Sequence, residues 1–156
     1  MTILLTGGTG KTATALIPYL TASSTPYLIT TRSQSSAPNQ VQFDFTQSST
    51  YSSPFITAVN NGSPVKAIYL VLPMQAPDCV KITSDFITYA LEEQDVKRFV
   101  LLGASNVVKG GAGPHAGVWD FLSALREQGK VEATILKCTW FLGESTTIYE
   151  GCIHPS

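Results

Sequence analysis

Charge is what this sequence has least of. Of its 156 residues only 13% are Asp, Glu, Lys or Arg, and eleven acidic against ten basic side chains leave a formal net charge of −1. No basic stripe exists to track a nucleic-acid backbone or an anionic membrane surface, so neither partner is expected. Cysteine is scarce as well. Cys79, Cys138 and Cys152 are odd in number, far apart and without a C-x-x-C pair, which argues against a disulfide framework or a zinc knuckle; Cys79 and Cys138 read as small apolar residues. The two histidines, His115 and His154, make no metal constellation with them, and no metal is expected. No apolar run approaches the ~20 residues of a membrane span, and the N-terminus enters a strand pattern instead of a basic and then apolar leader. A cytoplasmic location is the expectation.

What is abundant is apolar sequence, 44% of the chain, laid out in alternating periods. Residues 3–6, 27–31, 41–45, 67–72, 98–103 and 131–136 have strand patterns, several of them near-continuous apolar runs of the kind a parallel sheet buries on both faces. Between them Ala13, Leu16, Ile17 and Leu20 fall at i, i+3, i+4, i+7, as do Val118, Phe121, Leu122 and Leu125; each set marks one buried helix face. Cys79, Ile82, Phe86 and Ala90 do the same over about residues 78–94. Another helix is expected from Ser53-Pro54, with serine as cap, proline at the first helical position, and Phe55, Ile56 and Val59 inward. Pro18 removes a backbone donor from the first helix, so a kink or an early end is expected there. Gly129 stands where a helix C-terminus needs positive φ. Residues 33–40 and 46–53 read as polar loops, the first of them where many such folds have a helix. The alternation argues an α/β domain, a Rossmann-like doubly wound parallel sheet of about six strands in the order 3-2-1-4-5-6, its ligand crevice at the strand carboxyl ends. Residues 1–145 are assigned to this Rossmann-like domain and 146–156 to an irregular tail.

The first strand runs into Thr6-Gly7-Gly8-Thr9-Gly10-Lys11-Thr12 and then directly into a helical pattern. Glycines let backbone N–H groups approach phosphate oxygens, and the positive end of the following helix favours the negative charge. A Walker A loop would need glycine where Leu5 stands, and G-x-G-x-x-G fails at Thr9. What fits is G-x-x-G-x-x-A through Gly7, Gly10 and Ala13, the spacing of extended and atypical short-chain dehydrogenases. The alternative is a plain glycine-rich turn between strand and helix.

After the second strand an NAD-specific domain places a carboxylate for the ribose 2′-OH, whereas this chain reads Thr30-Thr31-Arg32-Ser33. Arg32 can pair with a 2′-phosphate, Thr31 and Ser33 can donate hydroxyls, and Lys11 can approach from the glycine loop. Such charge-assisted bonds are worth roughly 1.5–3 kcal/mol, enough for Arg32 alone to give about a tenfold to hundredfold preference for NADP. The alternative is a solvated loop cation. Asp44-Phe45, ending the third strand, suits the adenine amino group and ring edge, or a simple turn. Leu72-Pro73, ending the fourth, would lie beside the nicotinamide ribose, or only terminate the strand.

These residues resemble an atypical short-chain dehydrogenase of the NmrA-like group, in particular the fungal festuclavine (agroclavine) dehydrogenases. The resemblance rests on residues 6–12, on Ile-Tyr-Leu-Val-Leu-Pro at 68–73, on Val-Lys-Arg-Phe-Val-Leu-Leu-Gly-Ala-Ser at 96–105 and on Thr-Trp-Phe-Leu-Gly-Glu at 139–144. It implies NADP binding and reduction of an iminium or related C=N or C=C bond of a small molecule in fungal specialised metabolism. Two departures matter. The serine after strand 5, here Ser105, usually pairs with a Tyr-x-x-x-Lys on the next helix, yet residues 114–126 hold neither Tyr nor Lys, and Val118-Trp119-Asp120-Phe121-Leu122 stands where atypical members carry Val-His-x-x-Leu. A cationic iminium accepts hydride without a proton donor, which leaves proximity and orientation as the task. Asp120 is then a candidate to stabilise the cation and His115 to exchange protons, each alternatively a surface residue. The second departure is length: members of the group continue past strand 6 with segments that cover the substrate, and their Arg-Pro before Thr-Trp-Phe is here Lys137-Cys138. A homodimer or partner chain closing that side is the expectation. The competing functions are a nucleotide-binding module or redox sensor without catalysis, and a shortened scaffold doing cofactor-free chemistry.

Overall fold

The computed structural model describes residues 1–138. The Thr-Trp-Phe segment, Cys152, His154 and the expected domain boundary at 145 lie outside the described residues. Ten principal elements alternate along the chain: β1 (Thr2–Leu5), α1 (Lys11–Ala22), β2 (Tyr27–Thr31), β3 (Gln40–Gln42), α2 (Ser53–Asn60), β4 (Val65–Leu70), α3 (Cys79–Glu92), β5 (Arg98–Ala104), α4 (Pro114–Glu127) and β6 (Glu132–Cys138). The strands form one sheet in the order β3-β2-β1-β4-β5-β6, every neighbouring pair parallel. This is the order expected from the sequence.

Side-chain alternation along the strands feeds two cores. Leu4, Leu28, Ile68, Leu70, Phe99 and Leu101 face α2, α3 and α4. Leu5, Ile29 and Tyr69 face Leu20 of α1, with Leu16 and Ile17 partly buried beside them. Leu4 and Leu5 are adjacent and both fully buried, which only a strand covered on both faces allows. Each such side chain contributes about 1.5–3 kcal/mol relative to exposure. Val118 and Leu122 of α4 are fully buried, as their spacing indicates.

Three local expectations are corrected. α1 does not end at Pro18 but continues to Ala22. Pro18 and Thr14, whose carbonyl loses its helical donor, are both exposed, so that carbonyl is left open to solvent. In α2 the buried residues are Pro54, Phe55 and Ala58, while Ile56 and Val59 are 57% and 61% exposed. The helix is only 8 residues long, and Phe55 sets its rotation by docking on the rings of Phe86 and Tyr89, which leaves Ile56 and Val59 outside that face. The third strand stops at Gln42 instead of reaching residue 45. After one more bond, from the Phe43 N–H to the Thr31 carbonyl at 2.9 Å, Phe43 and Phe45 turn into an aromatic cluster around Phe86. The β2–β3 connection has no helix, and Gly129 has φ +70°, both as expected.

Candidate functional site

The loop after β1 is shaped by contacts with β2 and β4. Thr6 is fully buried, and its hydroxyl donates toward the Tyr69 carbonyl (3.1 Å) while accepting the Val71 N–H (2.8 Å). Its side chain therefore ties β1 to β4 beneath the loop, with its hydroxyl engaged by the β4 backbone. Gly7 has φ +63°, and a Cβ there would sit 2.9 Å from Val71 Cβ. Gly8 lies against β2: a Cβ would fall 1.8 Å from Ile29 Cγ2 and 3.1 Å from Ile29 Cα. The Gly10 N–H closes a turn onto the Gly7 carbonyl at 2.8 Å, and Gly10 is the N-cap of α1. The first helical bond runs from the Thr14 N–H to the Gly10 carbonyl, so the N–H groups of the preceding turn have no acceptor within the helix. Lys11 is exposed at the start of this turn. Thr12 hydrogen-bonds the Tyr69 hydroxyl, opposing the burial that pushes that phenol above its ordinary range.

Above this loop a crevice of about 840 Å³ runs across the carboxyl ends of β1 to β4. It gathers Gly7 and Thr9 from the glycine loop, Thr31, Arg32 and Ser33 beyond β2, Asp44 and Phe45 beyond β3, and Leu72 and Pro73 beyond β4. These candidates share one cavity although the chain between them spans more than sixty residues. Asp44 is oriented by Thr46, whose N–H (2.8 Å) and hydroxyl (2.7 Å) both donate to Oδ1. Its own N–H donates to Thr50 Oγ1 at 2.9 Å. Sequence reasoning missed Val71 and the run Met74-Gln75-Ala76, which also line the crevice. The rule that ligands sit at strand carboxyl ends would have found them, since they directly follow β4.

The catalytic candidates lie elsewhere. None of Ser105, His115 and Asp120 lines this crevice. Ser105 is exposed past the end of β5, its N–H bonded to the Cys138 carbonyl at 2.9 Å. Leu70 pairs with Leu101, so Ser105 leaves the sheet one strand beyond the Pro73-Met74 end of the cavity. Asp120 accepts the Gly110 N–H on both carboxylate oxygens, at 2.9 and 3.2 Å, and so holds the loop between β5 and α4. A Lys109–Glu127 ion pair secures the same loop. Burial holds His115 below the ordinary imidazole value of 6.5, leaving it neutral at pH 7. The folded chain thus binds this proton less readily than the unfolded one. The stability this provides is complete above pH 6.5 and is lost as pH falls through that value toward the lower folded one. Urea denaturation at pH 7.5 and 5.5 should show His115→Gln losing less stability on acidification than the parent; equal losses would contradict the assignment.

No family model matches the chain. Its sequence is 35% identical over 151 residues to agroclavine dehydrogenase of Claviceps purpurea, an alignment covering 94% of this chain and 49% of that one. It is 37% identical over 145 residues to festuclavine synthase I of Penicillium roqueforti, covering 91% and 48%. The chain is a homologue of the agroclavine and festuclavine dehydrogenases. It spans about half the length of these relatives. Among solved structures, a nucleoside-diphosphate-sugar epimerase from Staphylococcus aureus superposes with a TM-score of 0.69 at 14% identity, over 97% of this chain and 55% of that one. The yeast methylglyoxal/isovaleraldehyde reductase, complexed with NADPH, superposes at 0.60 and 15% identity, over 88% and 57%. At such identities the likeness is one of fold, and the fold is the Rossmann type of short-chain reductases and epimerases.

Proposed function

We propose that this chain carries the NADP(H) site of an oxidoreductase acting on a cationic C=N, or related C=C, bond of an alkaloid-type small molecule. One observation carries the reading: Arg32 and Ser33 open on the same crevice as the glycine loop and Asp44. A volume of about 840 Å³ suits a cofactor cleft, for which roughly 300–1,000 Å³ is usual. The donor set fits a dinucleotide along its length. Amides of the loop, of which Gly7 and Thr9 line the crevice, and of the first turn of α1 would hold the diphosphate, and Arg32 with Ser33 the 2′-phosphate. Asp44 Oδ2 would accept from the adenine amino group, and Leu72 and Pro73 would shield the nicotinamide ribose from water. Bound there, NADPH supplies a hydride, which an iminium carbon accepts without an accompanying proton, chemistry open to a chain lacking the Tyr-x-x-x-Lys pair. The names of the homologues support the substrate class, and the NADPH complex of the yeast reductase supports the cofactor.

Arg32→Ala should weaken NADPH binding about tenfold to hundredfold, the size of a lost charge-assisted contact, and leave NADH binding unchanged. Fluorescence titration of parent and variant reads this directly; an equal effect on both nucleotides would contradict the role of Arg32. The engagement of Asp120 by Gly110 favours a second reading, a dinucleotide-binding module without hydride transfer. NADPH consumption with a cyclic iminium substrate separates the two.

A further inference from the structure

We infer that the Ser35 hydroxyl determines the preference for a 2′-phosphate, by holding the loop that carries Arg32 and Ser33 in its binding shape. The inference rests on the NADP reading above and concerns how that site gains its selectivity. Between β2 and β3 the chain forms a loop, residues 32–39, where a helix would otherwise supply both rigidity and a row of N–H donors. A loop with exposed flanks orders a phosphate-binding cation only if its own hydrogen bonds fix it, since ordering it on binding costs affinity.

Ser35 is the half-buried residue of this stretch; its neighbours from Arg32 to Asn39 are exposed. Its Oγ accepts the Ala37 N–H at 3.1 Å and donates to Gln40 Oε1 at 2.7 Å. Gln40 is the first residue of β3, pairs with Ile29 of β2, and donates its own N–H to the Ala37 carbonyl at 3.2 Å. On the same strand Gln42 Nε2 donates to the Arg32 carbonyl at 3.4 Å. The loop is therefore tied at its middle and at its start to one short strand, and Ser35 Oγ is the side-chain part of the middle tie, beside the backbone bond from Gln40 to Ala37. Arg32 is held at the first of these ties and Ser33 lies between them, both on the crevice. Ser35 is not among the crevice-lining residues, so it acts through its neighbours as a positioning residue.

The test is calorimetric titration of the chain with NADPH and NADH, for the parent, Ser35→Ala, Ser35→Thr and Gln40→Ala. Parent preference for NADPH is expected. Ser35→Ala should weaken NADPH about fivefold, the effect of one net hydrogen bond, with NADH unchanged. Ser35→Thr, which keeps the hydroxyl, should behave as the parent. Gln40→Ala removes only the acceptor and should give the same selective loss, which keeps the inference testable if Ser35→Ala does not fold. Equal losses for both nucleotides, or no loss in a folded variant, would overturn the role of Ser35 while leaving the dinucleotide site standing. Binding of neither nucleotide by the parent would overturn both.

Discussion

Gly8→Ala is expected to lower NADPH affinity about tenfold to a hundredfold and to cost roughly 1–3 kcal/mol of stability, the range of an overpacked site. The methyl would arrive 1.8 Å from Ile29 Cγ2. A side-chain rotation does not solve this, because Ile29 Cβ and Cα lie 2.9 and 3.1 Å from the same point and Ile29 is β-branched and packed in the core against α1. The loop has to lift away from β2, taking with it the amides proposed to hold the diphosphate. Gly62→Ala is the control: its φ is +78° with nothing within 4 Å of the added carbon, so it introduces backbone strain alone, at the far end of β4 from the crevice. Urea denaturation and NADPH titration should therefore show both variants destabilised and only Gly8→Ala weakened in binding. Combining Gly8→Ala with Ile29→Ala removes the 1.8 Å contact with Cγ2, though Cβ at 2.9 Å remains, and should lose less than the sum of the single changes. Unchanged affinity in Gly8→Ala would contradict the close approach as the basis of the site.

Phe86→Ala should cost about 3–5 kcal/mol, a large share of the ~5–15 kcal/mol by which a domain is stable. The ring is fully buried, with the centroids of Phe43, Tyr51 and Phe45 at 4.6, 5.2 and 5.4 Å. Tyr51 donates its hydroxyl to the Phe45 carbonyl at 2.8 Å, so the cluster also braces the Phe43-Asp44-Phe45 wall of the crevice. Loss of the ring removes packing from α3 and from this wall of the crevice together. The midpoint of urea unfolding measures it, against Ile56→Ala, which changes a 57% exposed side chain and should stay within about 0.5 kcal/mol. A Phe86→Ala cost below 1 kcal/mol would show that the cluster does not carry this part of the fold.

The sheet order was legible because apolar strand runs alternate with helical faces over short connections, and right-handed crossovers leave few topologies for that pattern. The crevice was legible for the same reason. Gly7, Arg32, Asp44 and Pro73 each follow a strand, and parallel strands deliver their carboxyl ends to one edge. What escaped depends on direction in space. Thr6 sits in a phosphate-loop motif, yet its hydroxyl points down to β4, a choice set by the backbone of Tyr69 and Val71. Ile56 and Val59 have inward spacing, but a short helix rotates to satisfy its largest ring, Phe55. Asp120 could not be matched with Gly110 without the loop that brings them together. Ser35 carries no motif at all; only the missing helix after β2 makes its hydroxyl consequential.

In the proposed site, main-chain amides around Gly7 to Thr12 and the Arg32 guanidinium together hold NADP(H). Calorimetric titration of the unmodified chain with NADPH and with NADH tests it most directly. One saturable site is expected, with NADPH bound about tenfold to a hundredfold more tightly than NADH. A folded preparation that releases no heat with either nucleotide, or binds NADH as tightly as NADPH, would contradict it.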